Sequence, residues 1–338
     1  MSYIIKRVLV TIPIVFGVLT ITFLLSRAMP GDPVMMLLNQ AQIRYTPEIY
    51  NSFARELGLN LPLYLQFFRY IGDIFTGNWG QSIGYAPTSD VWELIIFRLP
   101  KTLDLTFFSM LIASYLGVKI GIISATHRNK FRDTVFRSLG IVGVAFPVFV
   151  LGMLLQFWLG FQLNLLPSTS YKNADYADPP FITGFYMIDA LISGNLYLIP
   201  DYLYHLAMPV FCLSFVTLAG IIRQTRSSML VVLQEDYIRT ARAKGCIEKD
   251  VIRRHALRNS MIPTVTVIGL NFATTLAGAV LLESTFNLRG IGLLLIDATL
   301  YRDYWLLNAC MVVVALIYII TILVIDILYG FIDPRIRY

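Results

Sequence analysis

The sequence predicts an all-α polytopic membrane protein with six transmembrane helices. Of its 338 residues, 57% are hydrophobic and only 14% are charged, whereas soluble domains carry about 25% charged residues. A water-soluble core of this size cannot hide so much apolar surface, so the natural solvent is a lipid bilayer. Only helices and closed barrels span lipid, and the long apolar runs lack the alternation of barrel strands. The runs therefore predict membrane-spanning helices.

Six apolar segments are long enough to cross a hydrocarbon core of about 30 Å as helices. The first resembles a signal peptide, but it is longer than the usual apolar region of one. The sequence RAMPGD follows it, rather than a small-residue cleavage pattern, so we expect a retained span. The fourth segment is the shortest. The six segments are residues 8–25, 103–124, 139–160, 206–222, 261–282 and 305–328.

Lysine and arginine cluster in four short segments, at residues 6–7, 128–137, 223–258 and 335–337. Short loops rich in these residues stay on the cytoplasmic side, which places both termini in the cytoplasm. The same segments supply much of the positive charge behind the net charge of +6. No nucleic-acid-binding motif accompanies this charge, so we expect membrane lipid and no nucleic acid as a partner.

This orientation divides the chain into four parts. We expect residues 1–28 to contain the first transmembrane helix and residues 29–101 to form an extracytoplasmic loop with short helices. Residues 102–328 form the remaining membrane core, which contains a cytoplasmic loop at residues 223–260. Residues 329–338 form a cytoplasmic tail.

The outer segments carry signals of local order. Thr46 and Pro47 have the order of a helix cap and a first helical residue, and this helix runs to Gly58. The aromatic stretch 61–75 is interrupted by charges and suits a helix lying flat on the outer membrane face. Residues 165–204 contain four prolines and predict an ordered but irregular lid.

The inner loop is the most informative part of the chain. Residues 234–263 predict two short amphipathic helices with Gly245 between them, because glycine suits the position after a helix end, where φ is often positive. Val251, Ile252 and Ala256 line a face of the second helix at helical spacing. Two interpretations of the basic surface remain open on physical grounds, namely contact with anionic lipid and docking to another protein.

The strings DYIRTARAKG at residues 236–245 and HALRN at 255–259 resemble the coupling loop of ATP-binding-cassette importer permeases of the dipeptide and oligopeptide family. The general importer pattern has Glu-Ala-Ala where this chain has RTA at residues 239–241. Further on it has Ile-x-Leu-Pro where this chain has HALR at residues 255–258. The peptide branch shares both departures.

The resemblance extends over essentially the whole chain. It includes PGDP from Pro30, GNWG from Gly77, TRSSM from Thr225 and ESTF from Glu283, and it ends with DPRIR at residues 333–337. The long outer loop resembles that of the dipeptide-type member.

The resemblance implies a type I ABC importer permease fold that moves dipeptides or oligopeptides across the cytoplasmic (inner) membrane by alternating access. It also implies several partners: a second homologous permease subunit, two cytoplasmic ATP-binding subunits and an extracytoplasmic solute-binding protein. ATP and magnesium would then bind the partner subunits, and this chain would bind no cofactor. The residues implied in ATPase coupling are Asp236, Tyr237, Arg239, Thr240, Ala241, Gly245, His255 and Arg258.

Other functions remain as alternatives. The same machine carries nickel, glutathione or an oligosaccharide in related systems, and a stand-alone secondary transporter is a further reading. The chain lacks a Walker-A string, HExxH and CxxC, which predicts no ATP site and no metal site of the usual kinds, and we expect no catalytic residues. An intramembrane protease would need a buried pair, but we expect Asp104 and Asp326 on opposite sides of the membrane.

Polar residues inside the spans are the candidates for lining the translocation path, because ionisable groups at bilayer depth are costly. Each has a structural alternative. The carboxylates can reach out from span ends, Asp104 can pair with Lys101 in a loop, and amides and hydroxyls can bond between helices. The candidates are Asp104, Gln156, Asn271, Thr274 and Glu283.

Overall fold

The computed structural model describes residues 2–28 and 31–332. The motif positions at Pro30 and at residues 333–337 lie outside these residues. The regular structure of the described part is helical, with π-helical turns at Gln156–Gln162 and Val251–Ala256, and one isolated bridge joins Gln81 and Asp90. The α-helices are α1 (Ser2–Ala28), α2 (Pro33–Gln40), α3 (Pro47–Glu56), α4 (Leu63–Thr76), α5 (Val91–Thr126), α6 (Phe131–Ala145), α7 (Val148–Leu155), α8 (Tyr186–Ile192), α9 (Leu198–Val232), α10 (Asp236–Ala243), α11 (Glu248–Asp250), α12 (Leu257–Phe286), α13 (Ile291–Leu300) and α14 (Tyr304–Ile332).

Five helices of the described part are long and apolar enough to cross a membrane, and a bent pair of helices makes a sixth span if its two halves are counted as one. This confirms the all-α membrane fold. The five helical spans are Ile5–Ala28, Val91–Thr126, Leu198–Val232, Glu248–Phe286 and Tyr304–Ile327.

The prediction that the fourth span is the shortest is wrong. Helix α9 has 35 residues, against 29 in α14. Polar residues such as His205 and Arg226 lower the hydropathy of its ends, so the apolar run marks only its middle. The helix continues through both ends because tertiary contacts cover their side chains, and Tyr202 and Thr225 are fully buried.

The third span is broken rather than straight. Helix α6 ends at Ala145, and Pro147 stands just before the first residue of α7. Proline has no backbone N–H to donate and disfavours a helical conformation in the residue before it. The segments Phe131–Gly143 and Val148–Gln162 meet at 98°. Pro147 therefore stands at the bend between the two segments.

Helices α5 and α9 pack closely because glycine leaves room for their backbones. A Cβ atom on Gly117 would lie 2.7 Å from Ile221, and one on Gly121 would lie 2.6 Å from Thr225. These two glycines are spaced as a GxxxG motif, which permits close helix approach in membranes. The α5–α9 pair and α12 enclose the central core, which includes Leu105, Cys212 and Leu282, all with no exposed surface.

The end of the bundle that carries α2, α3 and α4 is ordered by short polar contacts. Thr46 accepts a hydrogen bond from the Ile49 amide at 3.3 Å, and Pro47 is the first residue of α3. Gly58 follows the helix end with φ of +70°, so the predicted helix is confirmed. The stretch predicted at 61–75 forms α4; its placement on the membrane face stays a prediction.

Asp189 organises the segment predicted as an irregular lid. Its carboxylate accepts hydrogen bonds from the Thr183 and Gly184 amides at 2.7 and 2.9 Å and from the Ile182 amide at 3.3 Å. Burial alone raises the pKa of Asp189, but these hydrogen bonds and that from the Thr183 hydroxyl outweigh it and lower the pKa. The segment is irregular to Phe185 and then forms α8.

Candidate functional site: the inner turn and the transmembrane path

Helix α10 rests on the rest of the protein through a small apolar face. Ile238 is fully buried and Ala241 is 8% exposed, and the two are three residues apart, so they lie on the same side of the helix. They pack with Met229 of α9, Val251 and Ala256. The opposite side of α10 faces outward and carries charged side chains, so the helix presents a basic surface from a fixed position.

Gly245 ends α10 with a specific turn. Its φ is +78°, its amide donates to the Arg242 carbonyl at 3.0 Å, and the Cys246 amide donates to the Ala241 carbonyl at 3.2 Å. This pair of bonds is the Schellman motif, which places glycine just after the helix end. The predicted role of Gly245 as the turn residue is confirmed. A Cβ atom on Gly245 would meet nothing within 4 Å, so the turn faces open space.

A forked ion pair closes the turn across Gly245. The Arg242 guanidinium contacts both Glu248 carboxylate oxygens, at 3.1 Å from Nε and 2.7 Å from Nη2. This bond raises the pKa of Arg242. Both side chains are about half exposed, so the pair adds at most about 1 kcal/mol. Its geometric effect is to hold α10 against the start of the next helix.

The prediction of a second short helix after Gly245 is wrong. Helix α11, the π turn Val251–Ala256 and α12 run on as one helix over Glu248–Phe286, which has 39 residues. Nothing between Asp250 and Leu257 stops the helix, and Pro263 is accommodated inside α12. At about 1.5 Å per residue this helix is about 58 Å long. The turn at Gly245, called the inner turn below because its basic surroundings predict a cytoplasmic position, is therefore joined directly to a helix long and apolar enough to span the membrane.

The structure brings the eight predicted coupling residues to one end of the bundle. Ala241 differs from the others because it is buried, so it holds α10 in place rather than presenting a contact. Tyr237 is 41% exposed and its hydroxyl accepts a hydrogen bond from Asn259 at 2.8 Å, which ties α10 to α12. The exposed members are Asp236, Tyr237, Arg239, Thr240, Gly245, His255 and Arg258.

Sequence reasoning did not find a buried ion pair between α6 and α9. Asp133, near the start of α6, has no exposed surface, and both its oxygens accept from Arg226 of α9, at 2.7 and 2.9 Å. The Ser124 hydroxyl and the Asn129 amide also donate to it, at 2.5 and 2.9 Å. This group fastens the α5–α6 connection to α9. The basic residues at 128–137 predicted only a cytoplasmic segment, and the acidic Asp133 among them was the one local sign of an ion pair.

Glu283 lies near the end of α12 that is farthest from Gly245, and it anchors that end. Its side chain is 1% exposed. It accepts from the Thr102 hydroxyl of α5 at 2.5 Å and from the Leu293 amide of α13 at 3.0 Å. The Ile291 amide donates to the same Thr102 hydroxyl at 2.9 Å. A carboxylate at the start of α13 is also favoured by the helix dipole. Glu283 therefore joins three helices, and its role in a path stays a prediction.

Asp104 and Gln156 also make internal contacts. The prediction that Asp104 pairs with Lys101 in a loop is wrong, because both residues lie inside α5 and the Asp104 carboxylate accepts from the Tyr202 hydroxyl at 2.8 Å. The Gln156 amide donates to the carbonyls of Ser168 and Thr285 at 2.6 and 2.8 Å. The structural alternative, bonding between helices, describes both side chains.

Thr274 is the path candidate that is exposed. It lies on α12 beside Leu270 and Leu281, which are also exposed, and its hydroxyl bonds only within its own helix. Asn271 is partly buried, where α12 passes Gly220 of α9. This face of α12 is exposed on the single chain and offers one surface for a path or a second subunit.

The described residues contain no group of three or more His, Cys, Asp or Glu placed to hold a metal ion. Cys212 and Cys310 are buried, and Cys246 is exposed beside Gly245.

Residues 117–338 match the family described as binding-protein-dependent transport system inner membrane component, and residues 1–106 match the N-terminal region of such components. The chain belongs to this family. It is 39% identical to the di/tripeptide transport system permease protein of Pseudomonas aeruginosa over 338 residues, which cover 100% of this chain and 99% of the relative. It is 38% identical to the dipeptide transport system permease protein of Escherichia coli K12, over 100% of this chain and 99% of that protein. It is 34% identical to an oligopeptide transport system permease protein of Bacillus subtilis, over 100% and 99% respectively.

Membership in this family establishes the cellular location of the chain and the type of system in which it acts. The chain is a multi-pass component of the inner membrane in a binding-protein-dependent transport system. Members of this family act with ATP-hydrolysing and solute-binding partners rather than alone. The inner turn and the face of α12 around Thr274 are both exposed on the single chain.

Proposed function

We propose that this chain is one of two permease subunits of an ABC importer that carries dipeptides or oligopeptides into the cell, with both termini in the cytoplasm. The observation that carries the proposal is the exposed inner turn, which is rigidly continuous with a membrane-spanning helix. The substrate class rests on relatives that are peptide permeases and align over the whole chain. Separate subunits hydrolyse ATP. This chain is not an enzyme but transmits their movement to its membrane-spanning helices.

The first step of the mechanism takes place at the inner turn. Two ATP-binding subunits close on each other when they bind ATP, and one of them holds the surface around Gly245. Because Ile238 and Ala241 fix α10 to α9 and to the π turn, the ATPase cannot displace the turn without moving these helices. The ion pair of Asp133 with Arg226 carries the same displacement to α5 and α6.

The second step passes along α12. A packed helix moves as a unit because protein interiors are close-packed, so a push at Glu248 reaches Phe286 at the other end. There Glu283 links α12 to α5 and α13, and a tilt of α12 moves all three together. Alternation between two such tilts opens the path to one side of the membrane and then to the other.

Reconstitution tests this proposal. Proteoliposomes that contain this chain with its partner permease, both ATPases and the binding protein should take up labelled dipeptide only with ATP. Proteoliposomes with this chain alone serve as the control. Uptake by the chain alone would favour a secondary transporter. Uptake of nickel, glutathione or an oligosaccharide, but not of peptide, by the complete system would support an ABC importer and contradict the proposed peptide substrate.

A further inference from the structure

A cavity of about 460 Å³ lies between α1, α4 and α14, at the end of the bundle remote from α10. Its volume falls within the range of ligand pockets, about 300–1,000 Å³. The last turn of α1 and the first turn of α14 form one wall, and the buried face of α4 forms another. Its polar lining includes Arg27, Gln66, Arg69, Asp73, Tyr304 and Asn308.

The cavity holds a donor that lacks an acceptor and an acceptor that lacks a donor. Arg27 Nε is buried without a hydrogen-bond partner among the described residues, and Gln66 Oε1 is in the same condition. Arg27 instead stacks between two rings, 5.2 Å from the centroid of Phe23 and 4.8 Å from that of Tyr304. Leaving such a group unpaired costs about 1–3 kcal/mol, and more for a charged one. A ligand with both an anionic oxygen and an amine could satisfy both atoms, the oxygen by accepting from Arg27 Nε and the amine by donating to Gln66 Oε1.

The remaining charges in the lining are balanced. Arg69 adds a second positive charge, and Glu56 and Asp73 add two negative ones. A ligand with several negative charges would meet the two carboxylates, whereas an ammonium group is attracted to them. The lining therefore favours a zwitterion over a multiply charged anion.

The position of the cavity points to lipid as the source of this ligand. Arg27 stands in the last turn of α1, a span whose outer face is largely apolar and exposed. Helix α4 beside it exposes Tyr64, Phe68 and Phe75, at 63%, 63% and 79%, while its other face carries Gln66 toward the cavity. Aromatic residues collect at the depth of phospholipid headgroups, and a helix with one apolar face lies in that plane.

We propose that this cavity binds the headgroup of an amine-bearing phospholipid, with the phosphate at Arg27 and the amine toward Gln66 and Asp73. Occupancy fixes α4 against α1 and α14 and so couples the outer helices to the surrounding leaflet. Binding of this headgroup does not depend on which solute the transporter carries.

Native mass spectrometry of the assembled transporter tests this proposal. The complex is purified in detergent, stripped of lipid, and titrated with phosphatidylethanolamine, phosphatidylglycerol or soluble glycerophosphoethanolamine. We expect one phosphatidylethanolamine bound per copy of this chain, in preference to the other two probes. Arg27→Gln should weaken the binding of phosphatidylethanolamine about tenfold or more, because a charge-assisted bond is lost. Arg27→Lys should bind this lipid with an affinity between those of the unchanged chain and Arg27→Gln. Arg55→Gln, on an exposed side chain of α3 outside the cavity lining, should bind as the unchanged chain does.

Three results would overturn the proposal: equal binding by Arg27→Gln, phosphatidylglycerol bound as tightly as phosphatidylethanolamine, or glycerophosphoethanolamine bound without lipid. Asp73→Asn provides a second test if Arg27→Gln does not assemble. It removes a charge and makes no change of size, and it should reduce the preference for phosphatidylethanolamine over phosphatidylglycerol. An unchanged preference in this variant would also overturn the proposal.

Discussion

Substitution of Gly245 separates two effects that any residue larger than glycine introduces there. The φ of +78° costs an L-residue about 1–2 kcal/mol, and a side chain also projects into the open space in front of the turn. Asparagine tolerates positive φ better than alanine does, but it is larger. If backbone strain alone limits uptake, uptake should fall in the order Gly, Asn, Ala for the residue at position 245. If contact with an ATPase limits it, uptake should fall with side-chain size, in the order Gly, Ala, Asn, Leu.

We expect the second order, with uptake by Gly245→Leu close to background. Gly194 provides the matched control, because its φ is +76° and a Cβ atom there would also meet nothing within 4 Å. Gly194→Leu carries the same backbone strain at the other end of the bundle. The assay is ATP-dependent uptake in proteoliposomes, together with the fraction of ATPase subunits that co-purify. Gly245→Asn more active than Gly245→Ala, or equal ATPase recovery in Gly245→Leu and Gly194→Leu, would refute the argument from contact.

Three further predictions concern stability. Asp133→Asn should lower the free energy of unfolding by about 3 kcal/mol, since it leaves Arg226 without its charged partner; thermal unfolding in detergent checks this, and a loss below about 1 kcal/mol would contradict it. Gly121→Val should cost about 1–3 kcal/mol by overpacking the α5–α9 contact, whereas Gly17→Val, where a Cβ atom meets nothing within 4 Å, should be nearly neutral; equal melting temperatures would count against the close approach. Asp189→Asn should be less stable than the unchanged chain at neutral pH. Because folding lowers the Asp189 pKa, this difference is fully present above the ordinary carboxyl pKa of about 4 and shrinks as the pH falls through the lowered value; a difference that grows on acidification would contradict the sign.

Composition and local signals were enough to predict most of the fold. Lipid leaves few options for an apolar chain, so the helical class and the approximate spans followed from hydropathy. The predicted helix start at Thr46 and Pro47 and the predicted turn at Gly245 were correct, because caps and turns depend on a few neighbouring residues. The ends of α9 were missed because the burial of Tyr202 and His205 depends on contacts far along the sequence.

The polar residues inside the membrane were harder to interpret from sequence. A carboxylate at bilayer depth has the same signal whether it lines a path or joins helices. Glu283 and Asp104 are joined to Thr102 and Tyr202, partners 181 and 98 residues away, which no local pattern reveals. Asp133 was missed for the same reason, since its partner Arg226 is 93 residues further along the chain.

We expect the inner turn to contact a separate ATPase on the cytoplasmic side, and Cys246 offers a direct probe of this contact. It is exposed next to Gly245, while the other two cysteines, Cys212 and Cys310, are buried. A photoactivatable maleimide placed on Cys246 in the intact transporter should yield a covalent adduct with an ATPase subunit, and the thiol should react only from the cytoplasmic side. Reaction from the outer side, or crosslinking that never reaches an ATPase subunit in the assembled complex, would contradict the account.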